Sequence, residues 1–292
     1  MKIVPGEVKT NELHAYLLGA VAPRPICFAS TVDEKGNANL SPFSFFNVFG
    51  SNPTTLIFSP ARRVRNNTEK NTLQNVLATK EVVINVVNYA MVQQASLSSC
   101  EYPQGVDEFE KAGFTKLTSE KIKPYRVAES PVQIECKVRD IIATGTEGGA
   151  GNLVICEVLI MHINDEILNE DKKIDPHKID LVARMGGDFY CRASGNAVFE
   201  VEKPNTLLGI GFDALPENIR HSKGLSGNDL GQLANVDKMP VVDPSFDDDR
   251  LKNIVLYYSL NPLDMEEEVH RYAKKLLSEN KVQEAWQVLL SL

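Results

Sequence analysis

Apolar and polar positions divide the chain into a β-rich stretch followed by a helical one. Leu13, Leu17 and Leu18 share one face of a segment over residues 10–20 that Thr10 or Asn11 can cap, so a short helix is predicted there, ended by Pro23 and Pro25. Pro25–Val32 reads as a strand, Asp33–Asn37 as a turn, and Ala38–Phe46 as the returning arm of a hairpin. Pro42 gives up its N–H, so a bulge or exposed backbone is expected at Ser41–Ser44. Thr54–Ser59 is a third strand. Thr68–Ala78 is a helix capped by Asn67 or Thr68, with Leu73, Val76 and Leu77 facing inward. The β-branched run Glu81–Val87 is a buried strand, and Asn88 can cap a helix reaching about Ser98. Asp107–Gly113 is a short helical piece closed by glycine. Ser130–Ala143 and Asn152–Ile163 are long strands joined by the glycine-rich turn over residues 144–151. About six strands with few helices among them favour an antiparallel barrel or sandwich over a parallel α/β sheet.

The pattern changes after about Asp165. Residues 174–180 suggest a short helix or turn, and Ser194–Val201 a last short strand. Beyond Pro204 the chain turns helical. Ser226 and Asp229 read as a capping box for a helix over Leu230–Val236, and Asp247–Tyr258 begins with acids suited to a helix N-terminus. Met265–Ser278 and Gln283–Leu290 make an antiparallel helix pair. The expected organisation is a β domain over 1–203 and a mostly helical C-terminal extension over 204–292.

Composition narrows the function classes. With 292 residues, 43% hydrophobic and 24% charged, the chain can bury an ordinary globular core. A net charge of -8 argues against general nucleic-acid binding, which draws its affinity from Lys and Arg. The five cysteines include no C-x-x-C pair, and Cys27, Cys136 and Cys156 sit in apolar runs, fitting a reduced, cytoplasmic protein. No signal-peptide run or membrane span is expected.

Two stretches hold candidate chemistry. Arg62, Arg63, Arg65 and Lys70 are interleaved with Asn66, Asn67, Thr68, Asn71 and Thr72 at a predicted helix start, where free N–H groups favour an anion. Spacing alone leaves open an ordinary cap on a solvated basic edge. Ser41, Ser44 and Asn47 alternate with Phe43, Phe45 and Phe46, giving polar edges and apolar walls for a planar ring. The same residues also read as a plain core strand. The five histidines show no metal-ligand spacing, and Gly209-Ile-Gly211 lacks the third glycine and the βαβ setting of a dinucleotide fold.

These stretches carry a resemblance. Arg24-Pro, Ser30-Thr, Asp33, Gly36 and the run Asn39-Leu-Ser-Pro-Phe-Ser-Phe-Phe46 are followed by Asn52-Pro-Thr, Lys70-Asn-Thr72, Asn75, Glu81-Val-Val-Ile-Asn85 and, later, Arg184-Met-Gly-Gly with Tyr190. In this order and spacing, over about residues 10–200, the chain resembles the flavin reductase-like, FMN-binding split-barrel family, flavoredoxin-like members included. The resemblance implies a Greek-key split β-barrel, usually a homodimer, with FMN near the subunit interface. It also implies NAD(P)H-dependent flavin reduction with NADH or NADPH as donor, or electron transfer through bound FMN. The alternative is a non-catalytic FMN-binding electron carrier or a flavin-sensing interaction protein.

Carried over by position, the resemblance puts the flavin ring against Ser41, Pro42, Phe43, Ser44, Phe45, Phe46 and Asn47 and against Ser59 and Pro60. It puts the phosphate at Arg65, Lys70, Asn71 and Thr72. His162 and Arg184 fall where the family approaches the flavin or its substrate. Asn71 stands where family members often have aspartate, which leaves the local charge less negative. No metal and no acid–base dyad is expected, because the flavin would perform the redox chemistry.

Overall fold

A computed structural model of the chain describes every residue except Gln104 and 205–207. The last three, just inside the expected C-terminal extension, lie outside the described residues. Contacts divide the chain into two compact units, Met1–Phe199 and Glu200–Leu292.

In the first unit, α1 (Thr10–Ala20) precedes β1 (Arg24–Pro25), β2 (Cys27–Val32), β3 (Ala38–Phe43), β4 (Phe46–Ser51) and β5 (Thr54–Phe58). Then come α2 (Asn71–Thr79), β6 (Glu81–Val86), α3 (Val92–Leu97), α4 (Glu108–Ala112), β7 (Lys116–Leu117) and β8 (Arg126–Val127). The long hairpin β9 (Val132–Ala143) and β10 (Asn152–Ile163) follows, and then β11 (Val182–Arg184) and β12 (Tyr190–Arg192). Seven strands form one antiparallel sheet in the order β3-β2-β6-β9-β10-β5-β4. Its two edge strands, β3 and β4, are joined by only Ser44 and Phe45. Three steps from Phe43 to Phe46 span at most about 11 Å, so the sheet curls until its edges meet at that link, giving a split barrel. Cys27, Phe43, Leu56, Phe58, Val82, Ile84, Val154 and Cys156 fill the interior, with Leu73 and Val76 of α2 packed against it. Burial pushes the Cys27 and Cys156 thiols well up and Cys136 up to about 12, so these cysteines are inert core residues.

Three local expectations are corrected. Pro42 stays in a regular strand, opposite Phe28, because β3 is an edge and half of its N–H groups have no ladder partner to lose. The bend falls at Ser44–Phe45, and β4 is a seventh strand whose exposed Val48 and Phe49 hid it from the hydrophobic pattern. Ser194–Val201 is not a strand: Gly195 adopts φ +54° at the start of a one-turn 3-10 helix. The late strands are instead β11 and β12, which join β1 in a small separate sheet.

The second unit holds α5 (Glu217–Arg220), α6 (Gly227–Ala234), α7 (Asp249–Tyr257), α8 (Pro262–Ser278) and α9 (Val282–Leu289). Ser226 and Asp229 close the predicted capping box on α6. Asn261 caps α8, with Pro262 in its first turn. The core of this unit centres on Trp286, 0% exposed, whose indole N–H donates to the Leu233 carbonyl at 3.2 Å. No helix among the described residues is long and apolar enough to cross a membrane.

Candidate functional site

Helix α2 begins at Asn71, three residues later than its sequence suggests. Asn67 does not cap it. Asn67 takes a left-handed backbone (φ +55°), a conformation asparagine tolerates, and its side chain accepts from Arg62 Nε (2.7 Å) and donates to the Thr146 carbonyl (3.1 Å). Thr68 accepts from Arg63 and donates to Asn66. The cap position passes to Lys70, which supplies no side-chain bond, so among the described residues the N–H groups of Asn71 and Thr72 open the helix without a capping acceptor. That is an anion-ready terminus.

The four basic residues of this loop divide. Arg62 pairs with Glu69, while Arg63 and Arg65 each reach Glu101 at 3.0 Å. Arg65, 76% exposed, is thus engaged by Glu101 at the surface. Lys70 turns inward, donates to Ser41 Oγ at 3.1 Å and lies 5.2 Å from the Phe43 ring centre. No carboxylate pairs with it among the described residues. Burial and then the Arg63 charge lower its pKa, opposed by Glu101 and Glu108. A part-buried ammonium whose bond is to one hydroxyl, beside free helix amides, suits a phosphate.

Beneath this corner runs a polar network that the sequence does not reveal. Thr72, 1% exposed, donates its hydroxyl to Asn39 Oδ1 at 2.9 Å. The Asn39 amide donates to both oxygens of Glu108 (3.0 and 3.1 Å), and the Leu40 N–H adds a third bond to that carboxylate (3.0 Å). Asn75 and Thr31 continue the chain at 3.0 Å. Burial raises the Glu108 pKa, held back by the amide bonds from Leu40, Glu108 itself and Asn39. The Thr72 hydroxyl is spent inside the protein, so what Thr72 can offer an anion is its backbone N–H.

The glycine-rich β9–β10 turn braces the basic loop. Arg62 and residues 149–150 exchange backbone bonds of 2.8 and 3.0 Å, and a Cβ at Gly148 would lie 3.0–3.1 Å from the carbonyls of Val64 and Arg63. Ser59 Oγ accepts from Asn152 N–H (3.1 Å), the Pro60 carbonyl accepts from the Asn152 side chain (2.9 Å), and Ser59 N–H reaches the Phe45 carbonyl (2.8 Å). Ser59 and Pro60 are therefore tied to the Ser44–Phe45 link. Of the phenylalanines, Phe43 is core and Phe46 packs against it, while Phe45 is partly exposed, edge-on to His14 at 6.2 Å. Ser44 and Pro42 are half-buried, and Asn47 is exposed, its Oδ1 accepting from Val48 N–H. One aromatic wall remains where the sequence offered three.

His162 and Arg184 are not gathered with Lys70. His162 lies ten residues along β10 from Asn152, roughly 30 Å at ~3.3 Å per residue, and donates to the buried Glu135 at 2.8 Å. Burial pushes Glu135 up, but amide bonds from Glu120 and Lys121 and the imidazole leave it below its ordinary value. Arg184 sits in the small sheet, stacked on Tyr190 at 4.6 Å. Among the described residues no His, Cys, Asp and Glu cluster could hold a metal ion.

Comparison with known proteins identifies the family. Residues 19–177 match the family described as flavin reductase like domain. An uncharacterized protein of Aquifex aeolicus is 36% identical over 201 residues, 69% of this chain and all of that protein. The solved structure of nitrilotriacetate monooxygenase component B from Bacillus cereus is similar at 26% identity and TM-score 0.64, covering 69% of this chain and 98% of that one. A candidate flavin reductase with a split barrel domain from Shewanella frigidimarina shares the fold at 24% identity and TM-score 0.59, covering 70% and 99%. Glu200–Leu292 lies beyond the family match. The split barrel and these similarities establish that the chain belongs to the flavin reductase like family.

Proposed function

We propose that the protein is an FMN-dependent oxidoreductase that accepts electrons from NADH or NADPH. The phosphate of FMN would meet the N–H groups of Asn71 and Thr72, the Lys70 ammonium and the Ser41 hydroxyl. The ring would lie along Ser41–Asn47 against Ser59 and Pro60. The observation that carries this reading is Lys70: a part-buried cation without a carboxylate partner among the described residues, at a helix start with no side-chain cap. When bound, the flavin supplies the electron transfer, and the chain binds, orients and shields it. Membership in the flavin reductase like family and the likeness to a monooxygenase component support redox work over simple flavin storage.

A second copy of the chain would complete the site. Edge strand β4 exposes Val48 and Phe49 (63% each), and β10 exposes Leu159, Met161 and Ile163 on one face. Unpaired edges with apolar side chains favour association. The reduced cysteines fit a cytoplasmic setting.

The test is an absorption spectrum of the purified protein followed by anaerobic titration with NADH and NADPH. A yellow protein, or one that takes up added FMN, and that is bleached by either donor is the expected result. Protein that binds no FMN would sink the reading. Protein that binds FMN but never passes electrons from either donor would be a carrier.

A further inference from the structure

The small sheet places two arginines where a fold usually avoids them. Arg24 on β1 and Arg184 on β11 are directly opposed in the antiparallel ladder, so their side chains leave the same face. Like charges at such positions repel. Arg24 is 6% exposed, and its guanidinium is held by main-chain carbonyls alone: Leu18 (2.6 Å), Val21, and Met185 (2.9 Å). Its Nε is buried with no partner. The carbonyls at the end of α1 offset part of this charge, yet burial and the Arg184 charge still lower its pKa. Neighbouring Arg192 is different: it pairs with both oxygens of Asp180 at 2.7 and 2.8 Å. Neither Arg24 nor Arg184 has a carboxylate partner among the described residues.

We propose that Arg24 and Arg184 form an oxyanion subsite for a substrate that joins a carboxylate or a phosphate group to a planar ring. Arg184 is the hand that touches the ligand. It is half-buried, its Cζ lies over the Tyr190 ring 4.6 Å from the centroid, and among the described residues the one hydrogen bond of its side chain is a 3.4 Å contact to the Phe189 carbonyl. A stacked guanidinium keeps its donor edge open to a two-pronged oxyanion. Arg24, fixed beneath it, supplies positive potential and no direct contact. Phe189, 76% exposed, and Tyr190 offer flat apolar surface for the ring that carries the anion. The loop between the strands is held in place: a Cβ at Gly186 would come within 3.0 Å of the Gly19 backbone in α1, so only glycine allows this approach. Two sources share this chemistry, an aromatic acid and the pyrophosphate end of a nicotinamide dinucleotide. Naming the ligand as the redox substrate rests on the flavin reading; the anion site itself does not.

Calorimetric titration of the full chain, with and without added FMN, tests it. The ligands are benzoate, NADPH and inorganic phosphate at low salt, with the wild type compared against Arg184→Gln, and melting temperature used to check the fold. The expected result is one site per chain for benzoate or NADPH, weakened at least tenfold in Arg184→Gln and weakened by added salt. Benzoate binding identifies an aromatic acid, and NADPH binding without benzoate binding identifies the dinucleotide. No binding of any of the three, or equal affinity in a folded Arg184→Gln, overturns the subsite. Anion binding by protein that takes up no FMN would defeat the flavin reading and leave the subsite standing.

Discussion

The hydroxyl of Thr72 points into the protein, donating to Asn39 Oδ1 at 2.9 Å, while the backbone N–H of the same residue lies in the first turn of α2, where no capping side chain takes it. One residue thus couples the anchoring of the helix to its capacity for an anion. Thr72→Val, which keeps the shape and the N–H but removes the hydroxyl, should cost about 1 kcal/mol of stability in urea unfolding. FMN affinity should change less than about threefold, because a backbone N–H outlasts the side chain. A large loss of affinity with little loss of stability would put the hydroxyl on the ligand instead.

Lys70→Ala removes the only cation turned toward Ser41 among the described residues. FMN binding should weaken by about 1.5–3 kcal/mol, the usual worth of a charge-assisted hydrogen bond. Arg65→Ala should leave it nearly unchanged, since Arg65 is held by Glu101 at the surface. Fluorescence titration of FMN into the two variants separates these outcomes, and the reverse order would reassign the phosphate to Arg65.

Glu108 makes stability depend on pH. Its folded pKa is raised from the ordinary 4.5 chiefly by burial, so the folded state holds this proton more tightly than the unfolded chain does. Stability should therefore fall as pH rises from about 4.5 through the raised value. Glu108→Gln should flatten that slope, as measured by denaturant midpoints across the range. Glu108→Ala should cost about 1–3 kcal/mol at any pH by stranding the Asn39 and Leu40 donors.

Gly148→Val tests the brace under the basic loop. The added side chain would press on the backbone carbonyls of Arg63 and Val64, which cannot rotate away. A cost of about 1–3 kcal/mol is expected, together with weaker FMN binding as the loop before Lys70 shifts. Unchanged calorimetric melting and flavin affinity would show that the turn and the loop are independent.

How much of this was legible in the sequence depends on distance along the chain. Local signals carried well: the β9–β10 hairpin, the Ser226 capping box and the clustering of Lys70, Asn71 and Thr72 at a helix start all rest on near neighbours. What escaped depends on remote partners. Arg65 is engaged by Glu101, 36 residues on, and the Asn39–Glu108 contact spans 69 residues. No window of periodicity holds both members of such a pair. Strand β4 escaped for another reason: as an edge of the sheet it exposes the apolar side chains that usually mark burial. Pro42 misled because the rule against proline in a ladder holds for central strands, and edge position is a property of the whole sheet.

The chain has a single tryptophan, and Trp286 lies fully buried in the helical unit. Indole fluorescence is therefore an optical label confined to Glu200–Leu292, placed there by the sequence itself. A flavin bound in the barrel would be a second label, at longer wavelength, confined to Met1–Phe199. Melting followed at both colours would show whether the two units unfold as one body or as two, with no dye attached and no residue changed.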